Sequence, residues 1–219
     1  MSIRWLGLAA ILGILGYMAG LGLDVSWLRL VTKPLPVLSL AAAATKWGRG
    51  PYAWRLTAGL LLCAVGDALL EVGEETFLAG LIVFLAAHLA YVSAFLSDDH
   101  ALRPWRAIPF VVYGATMYLF LFPRLGGLAL PVGVYVGAIV AMMWRAAACV
   151  GRERPTALRA LVGAVMFGLS DTLIAVDRFR KPIAGVRYPI ILLYWAGQAA
   201  IALSAARAGR DRDQPPTGA

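Results

Sequence analysis

Charge is scarce in this chain. Only 15% of its 219 residues are Asp, Glu, Lys or Arg, against about a quarter in an ordinary soluble domain. It has two histidines and two cysteines. One histidine, His100, follows Asp98 and Asp99 in a polar stretch, and Cys63 and Cys149 are remote from both. A His/Cys zinc site cannot be assembled from that set, and no disulfide framework is implied. No Gly-rich phosphate loop, Ser/His/Asp pattern or nucleic-acid motif is present. Ser170 has no G-x-S-x-G around it, which excludes a nucleophile elbow. No metal or other cofactor is expected, and no nucleic-acid partner.

What remains is apolar. Hydrophobic residues make up 61% of the chain, with a mean hydropathy of +0.76. Runs near the ~20 residues needed to span a bilayer recur along its length. Eight can be marked, at about 5–23, 27–45, 54–71, 77–97, 106–122, 127–148, 157–176 and 187–206. The fifth is crowded by Pro109 and Pro123. The fold expected is an all-α polytopic transmembrane bundle of about eight helices, one domain over 1–208, with a polar, Pro-rich tail at 209–219 that is disordered and cytoplasmic. Arg4 before an apolar run also resembles a signal peptide, but the run is longer than such segments carry. Cys63 and Cys149 fall within spans and read as small buried apolar residues.

The net charge of +8 is distributed between the spans, as membrane topology requires. With a cytoplasmic N-terminus, thirteen Lys and Arg fall on that side, from Arg4 to Arg212, against six on the other: Arg29, Arg124, Arg178, Arg180, Lys181 and Arg187. Both termini are therefore expected inside, in a cell-membrane protein, with the acidic stretch Glu71–Glu75 outside. The basic connection around Arg178-Phe179-Arg180-Lys181 and Arg187 either meets anionic headgroups or funnels a phosphate-bearing substrate.

Two carboxylates lie inside spans, where each costs at least ~2.5 kcal/mol if ionised. Their surroundings rhyme: Ala64-Val65-Gly66-Asp67-Ala68-Leu69-Leu70 against Gly168-Leu169-Ser170-Asp171-Thr172-Leu173-Ile174. The two spans are four apart and cross in the same direction, as a 4+4 parallel duplication would arrange them. The other polar groups within spans, Lys33, His88, Tyr194 and Gln198, fall ~6–17 Å below the same surface at 1.5 Å per residue. A single polar cavity in one half of the bilayer explains that clustering. His88 and Tyr91, three apart, share a helix face, as do Tyr194 and Gln198, four apart. Lys33-Pro34, with Pro36 following, kinks or opens the second span. Each residue also has a plainer reading. The aspartates could make packing hydrogen bonds, Lys33 could be a counter-ion or snorkel, and His88, Tyr91, Tyr194 and Gln198 could be core residues. Asp177 could be a solvated charge at a helix end.

This pattern resembles the YhhN-like lysoplasmalogenase family. The residues that carry the resemblance are Lys33-Pro34, Gly66-Asp67, His88 with Tyr91, Ser170-Asp171, Ala175-Val176-Asp177-Arg178-Phe179, and Tyr194 with Gln198. The family implies hydrolysis of the vinyl ether bond of a lysophospholipid substrate, lysoplasmalogen, to a fatty aldehyde and a glycerophospho-ethanolamine or -choline. Such a bond is cleaved by protonating its β-carbon and letting water capture the oxocarbenium ion. On this reading one of Asp67 and Asp171 is the general acid and the other the stabiliser or base, with neither assigned. Lys33 holds phosphate or tunes the aspartates. His88, Tyr91, Tyr194 and Gln198 position water and the glycerol hydroxyl, and Asp177 completes the substrate-binding set. A proton-coupled transporter using the same aspartate pair is the alternative, and a purely structural membrane partner explains the polar cluster poorly. The oligomeric state is left open.

Overall fold

Residues 2–151 and 155–207 are described by the computed structural model, and no strand occurs among them. They form α1 (Ile3–Gly22), α2 (Ser26–Thr32), α3 (Leu35–Trp47), α4 (Pro51–Val72), α5 (Phe77–Asp98), α6 (Ile108–Leu121), α7 (Ala129–Cys149), α8 (Pro155–Phe179) and α9 (Arg187–Ser204), with short 3-10 turns between some of them. Seven of the eight expected spans match one helix each within a few residues. The expected tail at 209–219 lies outside the described residues.

The second span is two helices. Pro34 and Pro36 have no N–H to give to the carbonyls of Leu30 and Thr32, and the helix breaks between Thr32 and Leu35. The break is shallow. Lys33 N–H still reaches Arg29 O at 3.0 Å and Leu38 N–H reaches Pro34 O at 2.9 Å, so helical hydrogen bonding runs up to the break and resumes just after it. Irregular backbone at this depth is tolerated where protein or a wet cavity surrounds it, and both do here. At the other end of α3, Gly50 takes a φ of +89° and Pro51 opens α4 with its preset φ.

Six helical stretches are long and apolar enough to cross a membrane: Ile3–Gly22, Pro51–Val72, Glu74–Asp98, Pro104–Arg124, Gly126–Cys149 and Thr156–Phe179. The chain is a multi-pass membrane protein. Its radial pattern agrees. Leu12, Leu15, Val111, Val112, Leu119 and Leu192 are exposed, while Asp67, His88, Ser170, Asp171 and Gln198 are buried. Trp5, Trp27, Trp54 and Trp105 are exposed near helix starts, where interfacial aromatics are found.

Close approach of small residues holds the helices together, as expected where lipid supplies no hydrophobic drive between them. At the α8–α9 crossing a Cβ on Gly163 would sit 2.6 Å from Gly197 O, and one on Gly197 would sit 2.9 Å from Gly163 O. α1 lies along the α2–α3 joint in the same way, with Gly16 against Thr32 and Gly20 against Arg29. The end of the bundle holding Asp98 and Cys149 is tied by arginines. Buried Arg145 donates to Asp99 O at 2.5 Å and Ala101 O at 2.9 Å. Arg103 and Arg106 donate to carbonyls at the end of α7, those of Ala148 and Ala147, and to that of the next residue but one after Ala148, Val150, where a cation also meets the negative end of the helix dipole.

Gly197→Leu is expected to lower thermal stability in detergent, at the scale of ~1–3 kcal/mol typical of overpacking. Gly7→Leu is the control, since nothing lies within 4 Å of a Cβ there. Equal melting temperatures for the two variants would contradict this packing.

Candidate active site

Three carboxylates lie in neighbouring parts of the bundle, each with its own partners. Glu71, in the last turn of α4, has a side chain 2% exposed. It accepts Tyr17 Oη at 3.0 Å, Lys33 Nζ at 3.0 Å and Arg29 Nε at 3.3 Å, and Arg187 stands 3.7 Å away. Four elements converge on it: α1, α2, the kink after α2, and α9. Lys33 reaches this carboxylate from the break between α2 and α3. Lys33 is therefore the counter-ion of Glu71, and Glu71 is an internal residue of α4 rather than part of an outer acidic connection.

Asp67, one turn before Glu71, is 1% exposed and accepts Tyr194 Oη of α9 at 2.8 Å. Asp171 of α8 accepts Tyr135 Oη of α7 at 2.9 Å, and His88 Nε2 of α5 lies 3.3 Å from the same oxygen. Phe167 links the two clusters. Its ring stacks on His88 at 4.6 Å and meets Tyr194 edge-on at 5.4 Å. Tyr91 and Gln198 form a separate buried chain. Tyr91 donates to Gln198 Oε1 at 2.6 Å, and Gln198 Nε2 donates to Cys63 Sγ at 3.3 Å.

Two cavities open beside these groups. One is polar, about 370 Å³, and includes Tyr17, Arg29, Lys33, Glu71, Glu74, Asp177, Arg178 and Arg187 in its lining. The other is a narrow apolar groove of about 70 Å³ between α5, α6, α7 and α8, lined by residues such as Leu81, Met117, Val132 and Ile139, with Asp171 in its wall. Leu70, Phe77 and Ile174 line both. Asp67 is three residues before Leu70 on α4, and Asp171 three before Ile174 on α8. Each aspartate therefore lies one turn below the partition, on a matching face.

Of the residues singled out from sequence, Lys33 and Asp177 line the polar cavity and Asp171 lines the groove. Asp177 also accepts Ile183 N–H at 2.7 Å, fastening the connection to α9. Asp67, His88, Tyr91, Tyr194 and Gln198 line neither. His88, Tyr91 and Gln198 are fully enclosed and act on their neighbours rather than on the cavity. Sequence reading missed Glu71, Tyr17, Arg29 and Tyr135. Glu71 had a signal, its spacing of four from Asp67. Tyr135 had none, being one tyrosine among eight. Arg178 is held by Glu74 at 2.5 Å and lies over Phe77 at 3.8 Å, so the supposed loop cation belongs to the cavity rim. Among the described residues, no three His, Cys, Asp or Glu are grouped as metal ligands.

Comparison with known proteins adds the family. Residues 28–205 match the YhhN family. The chain is 37% identical to Lysoplasmalogenase TMEM86A of Bos taurus, over 82% of this chain and 79% of that one. It is 35% identical to Lysoplasmalogenase TMEM86B of Homo sapiens, over 84% and 78%. With the Lysoplasmalogenase of Mycobacterium tuberculosis it shares 34% identity over 74% of this chain and 62% of that one. No solved structure matches the chain.

Glu71→Gln should destabilise the protein, because it leaves Arg29 and Lys33 with an uncharged partner. The loss should sit near the lower end of the ~3–5 kcal/mol typical of a broken buried pair, since the cavity admits water. Adding Lys33→Gln should restore part of it. A single variant that melts with the wild type would show that the cluster is not a stabilising one.

Proposed function

Because this chain belongs to the YhhN family, we propose that it hydrolyses the vinyl ether bond of lysoplasmalogen, the substrate from which its relatives take their name. One observation carries the reading: a charged cavity and an apolar groove share a wall, and Asp171 lines the groove one turn below it. A lysoplasmalogen is a charged headgroup joined through glycerol to a hydrocarbon chain, and its vinyl ether is the first bond of the chain. With the headgroup in the cavity and the chain in the groove, that bond rests at Leu70, Phe77 and Ile174.

The charges suit a zwitterionic headgroup. Arg187 is the loosest partner of Glu71, half exposed at 3.7 Å, and takes the phosphate together with Lys33. Glu74 and Asp177, at the rim, face the ethanolamine or choline cation. The groove takes the chain from the lipid past α6, whose buried residues are Gly114 and Leu121 alone. Asp67 and Asp171 divide the acid and stabilising roles. Protonation of the β-carbon places positive charge on the ether carbon and oxygen, and a carboxylate a few ångströms away in an apolar setting stabilises it strongly. Tyr194 and Tyr135 orient the two carboxylates, and Tyr91 and Gln198 buttress α5 against α9. The termini lie in the cytoplasm by the positive-inside rule, in the cell membrane, so the polar cavity opens on the opposite side. Transport finds no support among these relatives.

Detergent-purified protein is expected to release fatty aldehyde from a 1-alkenyl lysophospholipid. Asp67→Asn and Asp171→Asn should each lower kcat by at least ~10²-fold, the usual scale of acid–base contributions. Arg187→Gln should mainly raise KM. Full activity in both folded aspartate variants would sink the mechanism.

A further inference from the structure

The two aspartates differ in what surrounds them, and the difference assigns their roles. Asp171 is in the wall of the groove; Asp67 lines neither cavity and is paired with a tyrosine hydroxyl. Resting on the hydrolase reading above, we infer that Asp171 is the acid and that His88, a positioning residue, holds the proton of that acid jointly with it.

The tautomer of His88 follows from its contacts. Nδ1 lies 2.6 Å from Phe84 O, in the preceding turn of α5. A carbonyl oxygen can only accept, so Nδ1 carries a proton. A neutral ring with its proton on Nδ1 presents a bare lone pair at Nε2. That atom is buried, has no hydrogen-bond partner, and faces Asp171 Oδ2 at 3.3 Å. The same oxygen already accepts Tyr135 Oη. An ionised Asp171 opposite a bare Nε2 would set two acceptors against each other in an apolar site, where unmatched polar groups are most costly. One proton between them removes the conflict. It lies on Asp171 facing Nε2, or on Nε2 facing a carboxylate.

The ring cannot turn away from this arrangement. Phe167 stacks on one face at 4.6 Å and Tyr135 meets it at 5.2 Å. The titratable groups against it are Tyr135 of α7 and Asp171 of α8. Tyr91 and Tyr194 meet Phe167 edge-on.

The chemistry balances. The proton passes from Asp171 to the β-carbon of the vinyl ether, whose π pair forms the new C–H bond and leaves an oxocarbenium ion. Water adds to the ether carbon and returns one proton to the Asp171–His88 pair. The resulting hemiacetal breaks its C–O bond to the glycerol oxygen, which takes the hydroxyl proton as the aldehyde forms. Once Asp171 has given up its proton, the bare Nε2 again opposes a carboxylate, which drives the pair to recover a proton from the attacking water.

The direct test is 15N NMR of histidine-labelled His100→Asn protein in detergent, which leaves one imidazole to observe. We expect Nδ1 protonated and an Nε2 signal that reports a proton shared with Asp171 and changes when Asp171→Asn is added. A neutral ring protonated on Nε2 with Nδ1 bare, or an Nε2 signal indifferent to Asp171→Asn, would overturn the inference without reference to any substrate. In kinetics, His88→Gln places an amide where Nε2 was, and this group cannot share a titrating proton. It should cut kcat for aldehyde release ~10²-fold while KM stays within about twofold. An unchanged kcat in folded His88→Gln would also overturn it. A wild type with the shared-proton spectrum but no aldehyde release would support the proton sharing and refute the hydrolase reading.

Discussion

A carboxylate can be kept in the middle of a bilayer protein only if neighbouring groups replace the water it has lost. Three of them organise this bundle. Glu71 draws Tyr17 from α1, Arg29 from α2, Lys33 from the kink and Arg187 from α9. Asp67 ties α4 to α9 through Tyr194, and Asp171 ties α8 to α7 and α5 through Tyr135 and His88. Among these helices lipid exclusion alone specifies little, because lipid tails are as apolar as leucine. The polar partners fix which helix meets which.

The same partners give the three carboxylates different characters. Glu71 is surrounded by cations and stands at the wet cavity. Asp67 has a hydroxyl and no cavity. Asp171 has a hydroxyl, an imidazole and an apolar groove. One residue type is thereby given three surroundings: a cluster of cations, a closed hydroxyl contact and the wall of a groove. The partition at Leu70, Phe77 and Ile174 separates the cavity that Glu71 lines from the groove that Asp171 lines, with Asp67 enclosed behind it.

Most of the architecture was legible in the sequence, because spans of apolar residues and the prolines that interrupt them act locally. The break after Lys33 follows from two missing N–H groups and needs no tertiary information. The clustering of Lys33, Asp67 and Asp171 toward one side could be read from depth along the spans. Partnerships could not. Glu71 looked like the first residue of the run that includes Glu74 and Glu75, and only the packing of α1 and α2 beside α4 shows it to be internal. His88 and Tyr91 share a helix face as their spacing suggested, yet one serves Asp171 and the other Gln198. That division is decided by where α7, α8 and α9 stand. The matching positions of Asp67 and Asp171 suggested a duplication; the structure shows a matching relation of each to the partition, with different hydrogen-bond partners.

The measurement closest to the central claim is isotopic analysis of the products from a 1-alkenyl lysophospholipid, with one reaction in D2O and another in H2 18O. If a carboxylic acid in the groove protonates the β-carbon, the aldehyde carries one deuterium on the carbon beside its carbonyl. Water then attacks the ether carbon, so the glycerophospho-alcohol contains no 18O. An aldehyde without that deuterium, or 18O in the glycerol product, would contradict protonation of the vinyl group and with it the role given to Asp171.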